Sequence, residues 1–591
     1  MTRHHPAAPV LPAWRLTFLK WSIYILLFLI VTRLFYWQII QGSALKAEAQ
    51  DQYQRTQLIT GLRGNIKTAD GYLLVSNQPV YRVFVEPHLL EVPGETLAKQ
   101  LTPLLLPELE QYRAASEAAA RQEITTALEQ DLTTKLSNSS AKWVGLMPKI
   151  SEETRHQLEG LNVKGLGFEK YQVRSYPEAS LAAHVAGFVG KNEAGEEVGY
   201  FGVEGALNQE LRARTERKTL LKDALGLQLF ESQARGAMSP SGREVVLTIR
   251  RDIQALAERY LEEGVNKYGA KSGEVIIMEP NTGKILAMAA SPKYDPAAFY
   301  KYPQELYKNP SFTHVYEPGS TFKTLTVAAG IDTGAIKPDT QCPVCEGPRQ
   351  IGKYTIKTWN NEYHPQITMT EALAKSDNTA MMYIADEVGA ETLSEYFKRF
   401  GIGDKTYTEI QEDTVTPFPT KWGPVELATA SFGQGISTTS IQLVRAVAAI
   451  ANRGNLMKPL VVEKVVDPIT QEVVVSQPKI ERQVISSETA DQVTKMMIEA
   501  AAHGEAQWIA SKTHQVAGKT GTSQVAVNGQ YDPEKTIATF IGFTPPENPR
   551  FIMLVKLVEP QSSPWAAETA APLWYKIAER LYLLLNIPAD K

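Results

Sequence analysis

Cysteine is nearly absent: there are two in 591 residues. That excludes a disulfide-framework fold, and a chain this long can bury several full cores without staples. A charge excess of one sign is also missing. Lys and Arg number 61 against 65 Asp and Glu, a net of −4, so no nucleic-acid partner is indicated. The 9 histidines form no His-Glu-x-x-His pair, and two cysteines alone cannot complete a zinc site, so no metal and no cofactor are expected. Internal repeats and low-complexity tails are lacking. An apolar content of 43% excludes wholesale disorder and collagen-like chains.

One long apolar run is present, at residues 21–40 (WSIYILLFLIVTRLFYWQII), with Arg33 its single charge. A membrane span takes about 20 mainly apolar residues. Arg33 leaves a charge-free run of 12 residues, 21–32, so the span requires that its guanidinium snorkel to an interface. Arg3, Arg15 and Lys20 precede the run, which favours a cytoplasmic segment over residues 1–20. Trp14, Trp21, Tyr36 and Trp37 suit the interfacial belts. The expectation is a single-pass anchor in the plasma (inner) membrane at 21–40, with the rest outside the cytoplasm. A cleaved signal peptide is the alternative, and QGSALKAEAQ offers it only a weak small-residue site.

Residues 41–240 form a mixed, elongated module without an obvious catalytic cluster. A polar stalk over 42–60 leads to apolar alternation around Asp70-Gly71, a hairpin signal. Residues 81–85, 171–176 and 184–189 read as strands, and 204–214 as a helix. Between them, 95–161 turns rich in Ala, Glu, Gln and Leu and predicts helices with a break at 137–140. This stretch is either a partner-binding insertion or a solvated helical face; the second is the default. Residues 241–591 have a different rhythm. A strand at 245–249, an amphipathic helix at 253–267 and a hairpin around Pro280-Asn281-Thr282-Gly283 open it. Strands at 515–517, 537–543 and 551–558 and a final helix close it. That order predicts an α+β fold with an antiparallel sheet packed by helices.

Three short motifs stand in this second half: Ser320-Thr321-Phe322-Lys323, Ser376-Asp377-Asn378 and Lys519-Thr520-Gly521-Thr522. Singly they carry little. Ser-x-x-Lys also begins at Ser43, Ser139 and Ser476, and Lys-Ser/Thr-Gly also occurs at Lys271. Setting separates them. Ser320 follows Glu317-Pro318-Gly319 and opens an apolar helical run, which places its hydroxyl at a helix N-terminus with Lys323 one turn on. A serine hydroxyl becomes a nucleophile when a base takes its proton, and a desolvated lysine near another cation can be that base. Ser376 and Asn378 lie between two helical stretches. The hydroxyl can relay a proton, and the amide can bind a substrate carbonyl or order Lys323; a plain helix cap is the alternative. Lys519, Thr520 and Thr522 lie in an edge-strand pattern suited to a carboxylate. Gly521 there admits a substrate backbone, and the Thr522 and Ser320 backbone N–H groups are candidates for an oxyanion hole.

The three motifs in this order resemble the penicillin-recognising serine acyl-transferases. With the anchor, the Arg63-Gly64-Asn65-Ile66 entry to the pedestal and the stretches GEVIIMEPNTGKILAMAASP and SFGQGISTTSIQ, nearly the whole chain resembles a class B penicillin-binding protein, a monofunctional peptidoglycan D,D-transpeptidase. The resemblance implies a β-lactamase-like catalytic domain over 241–591 behind a pedestal or dimerisation-type domain over 41–240. It implies Ser320 as the acylated nucleophile, Lys323 as its base and Ser376 as the relay to the departing D-alanine. Asn378 would position substrate, and Lys519, Thr520, Gly521 and Thr522 would hold its carboxylate. Implied partners are peptidoglycan stem peptides ending in D-Ala-D-Ala, lipid-linked or on nascent strands, β-lactam antibiotics, the membrane, a glycosyltransferase, and division or elongation proteins. Asn378 and Thr520 resemble the septal type more than the elongation type. A β-lactamase or β-lactam sensor is a second reading, but no deacylating glutamate is identifiable. An inactive wall-synthesis scaffold is a third, and the intact motifs argue against it. Cys342-Pro343-Val344-Cys345 lacks a thioredoxin-like context, leaving a local disulfide or free thiols.

Overall fold

The computed structural model describes residues 13–221, 241–527 and 530–590. Arg3 and most of the expected cytoplasmic segment lie outside the described residues, as does 222–240 at the end of the expected pedestal. The described chain divides into two units.

The first unit holds the apolar helix Ala13–Phe35, continued by a turn of π-helix at Tyr36–Ile40. Within residues 13–40 an 18-residue stretch reaches a mean hydropathy of 2.0, and none of it is buried. A helix apolar on every face and covered by no protein is one that lipid can cover. The Arg33 guanidinium lies 5.0 Å from the centre of the Trp37 ring. An aromatic face thus partners the one charge in residues 21–40. The polar stalk is a helix, Gly42–Tyr53, and a strand, Gln54–Thr60, which pairs antiparallel with Thr215–Leu221.

The second unit contains two large sheets. The first is five-stranded and antiparallel, in the order Ile285–Ser291, Ser272–Met278, Phe551–Val558, Gln530–Thr544, Ala517–Val527. Side chains alternate across a pleated strand, and here both faces are apolar. Val275, Ile277, Met553 and Val555 pack under helices Arg251–Tyr268 and Ala570–Leu584. Ile276, Met278, Ile552 and Leu554 face the opposite core. There the helix Ser440–Ala451, with every residue buried, packs on the sheet. The central strand Phe551–Val558 is buried throughout, which explains its apolar sequence; the one exception, Lys556, is buried in an ion pair with Glu274. Ala517–Val527, which carries Lys519, is an edge strand as the pattern predicts.

The second sheet has seven strands, drawn from residues before 222 and after 240. Ile66–Lys67 pairs antiparallel with Leu73–Val85 and parallel with Glu244–Leu247, which in turn pairs with Val462–Val466. Arg63, just before this sheet, meets Glu204 through Nε at 2.7 Å, and Arg174 Nε reaches the other oxygen of Glu204 at 2.7 Å. The Glu204 side chain is fully buried between two arginines.

Three local expectations differ from what forms. The 95–161 stretch contains helices Gly94–Leu105, Ala118–Leu136 and Glu152–Glu159, but also the strand Val144–Ile150. Leu97, Leu101, Leu128 and Leu132 close a core of its own against Val83 and Val85, so one helical face is packed. The strand expected at 184–189 begins only at Phe188, because left-handed backbone at Ala182 and Gly187 brackets a helical turn, Ala183–Ala186. The single helix expected over 204–214 is two short ones, Gly202–Ala206 and Asn208–Leu211, interrupted at Leu207. Cys342 and Cys345 form a disulfide in the loop ahead of the hairpin Arg349–Ile351 and Tyr354–Ile356.

Candidate active site

Ser320 lies on a single 3-10 turn, Gly319–Phe322, that runs directly into the helix Lys323–Asp332. The turn packs on the edge strand. A Cβ at Gly521 would fall 2.8 Å from Thr321 Cγ2 and 3.0 Å from the Pro318 carbonyl. The close approach that Gly521 admits is therefore made by the turn that carries Ser320.

Lys323 is fully buried. Its Nζ donates to the Ser376 carbonyl at 2.5 Å, to Ser376 Oγ at 3.2 Å and to Asn378 Oδ1 at 2.7 Å. Three acceptors satisfy the three ammonium protons. Burial, and then the Lys519 ammonium, push the Lys323 amine down to about 7, while Glu505 and Asp377 pull the other way. At neutral pH a large share of Lys323 is thus a neutral amine with a lone pair.

Ser376 sits between helices Met369–Ala374 and Asn378–Val388 with a left-handed φ of 57°. Asp377, not Ser376, caps the second helix, its carboxylate accepting from Thr379 N at 2.7 Å and Ala380 N at 3.0 Å. That frees the Ser376 hydroxyl from capping and turns it to Lys323. Asn378 is held from its other side, since Nδ2 donates to the Lys357 carbonyl at 2.8 Å.

Lys519 is buried, and its Nζ lies 3.1 Å from Thr520 Oγ1. Burial holds its amine below the usual lysine range, with Glu505 opposing. Thr520 Oγ1 donates to Glu505 Oε2 at 2.6 Å. Thr522 Oγ1 accepts from Ala566 N at 3.1 Å.

These groups surround one cavity of about 460 Å³, walled by Ser320, Ser376, Asn378, Thr522 and Glu505. Lys323, Lys519 and Thr520 stand buried behind that wall. Trp359 and Trp565 complete it with an edge-to-face pair, their ring centres 5.1 Å apart. So the three motifs, 56 and 143 residues apart by their first members, converge. Glu505, Trp359 and Trp565 escape sequence reasoning because each lies on an irregular segment with no motif; the nearest signal to Glu505 is the Gly504 that ends a helix. His514 has a structural place, stacked 3.7 Å from Tyr582.

Such a site, a buried lysine beside a serine on a helix entry with a Lys-Thr-Gly edge strand opposite, is built for acyl transfer. Comparison with known proteins agrees. Residues 273–579 match the penicillin binding protein transpeptidase domain, and residues 58–247 the penicillin-binding protein dimerisation domain. Stage V sporulation protein D of Bacillus subtilis is 30% identical over 556 residues, covering 93% of this chain and 82% of that protein. The peptidoglycan D,D-transpeptidase FtsI of Escherichia coli is 26% identical over 583 residues, covering 98% and 93%. Among solved structures, penicillin binding protein 2X of Streptococcus thermophilus shares the fold with a TM-score of 0.71 at 20% identity, covering 90% of this chain and 81% of that one. With a dimerisation domain ahead of the catalytic one, this chain belongs to the class B penicillin-binding proteins.

Proposed function

We propose that the chain is a peptidoglycan D,D-transpeptidase that cross-links stem peptides ending in D-Ala-D-Ala through an ester on Ser320. The observation that carries this reading is the buried Lys323, fixed by Ser376 and Asn378 one turn from Ser320, with burial lowering its amine to about 7.

Lys323 Nζ takes the Ser320 proton as Oγ bonds to the carbonyl carbon of the penultimate D-alanine. The backbone N–H groups of Ser320 and Thr522 receive the oxyanion. The C–N bond then breaks, and the proton passes through Ser376 Oγ to the departing D-alanine amine. Lys519, Thr520 and Thr522 bind the terminal carboxylate and release it with that leaving group. In the second half, the amino group of a neighbouring stem attacks the ester carbon. Ser320 Oγ leaves and recovers a proton, and a new amide remains. A β-lactam enters the first half and stays as a slowly hydrolysed ester.

In this reading, residues 41–240 are the pedestal and 241–591 the transpeptidase domain. Residues 21–40 are a single inner-membrane anchor, with 1–20 cytoplasmic. FtsI being a relative supports a septal role, and a glycosyltransferase and division proteins are the natural partners.

The test uses the full chain in detergent. Incubation with penicillin, followed by intact mass, is expected to give a persistent one-drug adduct on the parent and none on Ser320→Ala. A parent that never acylates sinks the enzyme reading. An adduct that vanishes within seconds, with drug hydrolysed, makes the chain a β-lactamase instead.

A further inference from the structure

The cavity contains one carboxylate that the mechanism above does not use. Glu505 Oε2 accepts the Thr520 hydroxyl proton at 2.6 Å. That hydroxyl, in the reading proposed above, belongs to the substrate's terminal carboxylate. Glu505 is built into this position. It follows the helix Ser487–His503, and Gly504 before it is pressed between neighbours: a Cβ there would fall 2.3 Å from the Ala500 carbonyl and 2.7 Å from that of Ala374. Ala374 ends the helix that presents Ser376, so the glutamate is pinned to the same piece of structure as the relay serine.

We propose that Glu505 is a specificity-determining residue: its carboxylate occupies Thr520 in the empty site and competes there with the anionic end of the incoming donor. The proposal rests on the transpeptidase reading. An arriving carboxylate must take the Thr520 O–H from Glu505 and then lie beside a like charge, which costs binding. Glu505 thereby lowers the rate of acylation by anionic donors. Donors that lack a carboxylate do not contest Thr520 and escape this restraint. The charges facing this pair are Lys519, Lys323 and, behind Lys323, Asp377. Glu505 also holds the Lys323 amine higher than burial alone would leave it, so its removal makes the base more available near neutral pH.

The experiment compares the full-length parent, Glu505→Gln and Glu505→Asp in detergent. The probes are penicillin and a peptide boronic acid without a carboxylate, both used at alkaline pH where Lys323 is neutral throughout. Glu505→Gln is expected to raise the second-order acylation constant for penicillin roughly tenfold, the scale of one partly screened unit charge a few ångströms away. Boronate affinity should stay near the parent's. Glu505→Asp should keep the parental ratio of the two probes. In a second readout, the pH midpoint of penicillin acylation should fall for Glu505→Gln. Unchanged selectivity in Glu505→Gln, or an equal loss with both probes, overturns the proposal. So does a longer-lived penicillin adduct with unchanged acylation, which would make Glu505 a deacylating base. Failure of the parent to acylate at all tells against the transpeptidase reading, and is distinguishable from each of these.

Discussion

Lys323 Nζ lies 2.7 Å from Asn378 Oδ1, and the same amide is tied to the Lys357 carbonyl through Nδ2 at 2.8 Å. Asn378 is thus a neutral bracket between Lys323 and the segment that walls the cavity. Its neutrality matters because a charge at that distance would reset the Lys323 amine.

Asn378→Asp puts a carboxylate against Lys323 and removes the bond to Lys357. The amine, held at about 7 in the parent, should rise by roughly one to two pH units. Penicillin acylation should then fall about ten- to a hundredfold at neutral pH and recover in alkali. A pH profile of the acylation rate checks this. An unmoved midpoint would mean that Asn378 does not govern the base.

In the parent, the same profile should rise with pH through about 7, because the lone pair exists only above the depressed midpoint of Lys323. The sign follows from the group: a buried lysine loses its proton more readily, and activity is lost as falling pH restores it.

Lys519→Met removes the cation that helps lower Lys323 and, in the proposed reading, an anchor for the donor carboxylate. Acylation by penicillin should drop by about a hundredfold, with the pH midpoint moving upward. Measuring rate against both drug concentration and pH separates the two effects. A loss confined to binding would show that the two lysines do not communicate.

Glu204→Gln leaves Arg63 and Arg174 buried without a counter-charge. Breaking a buried ion network from one side costs about 3–5 kcal/mol. Thermal denaturation should show a markedly lower midpoint, while any folded fraction keeps its penicillin adduct. A variant as stable as the parent would mean that water already reaches these arginines.

The Cys342–Cys345 bridge closes a loop with a sequence separation of 3. By chain entropy a loop this short contributes no more than about 2 kcal/mol. Replacing both with serine should shift melting by only a few degrees and leave acylation intact. A large loss of acylation would tie the bridge to the hairpin that ends beside Trp359.

The catalytic half was legible because its signals are local. Val275 to Met278 alternate between two cores, and the composition of such a strand announces itself. Ser320, Ser376 and Lys519 carry fixed neighbours that mark them wherever the chain brings them. Glu505 has no such neighbours, and neither do Trp359 and Trp565. Their roles arise from where loops end, which periodicity does not encode. The strand Val144–Ile150 was hidden for a related reason: it is short, contains Pro148, and lies amid a helical composition. Its pairing with Leu73–Val85 is a long-range event that no window around it contains.

The seven-stranded sheet has one more consequence. Glu244–Leu247 is stitched to Ile66–Lys67 on one edge and to Val462–Val466 on the other, and a few residues later the chain enters the helix on which the catalytic sheet rests. What joins the two regions is a weld and not a swivel. A tug on the pedestal is delivered as shear along a backbone ladder, straight into the scaffold behind Ser320. To part the two regions, that ladder must be unzipped.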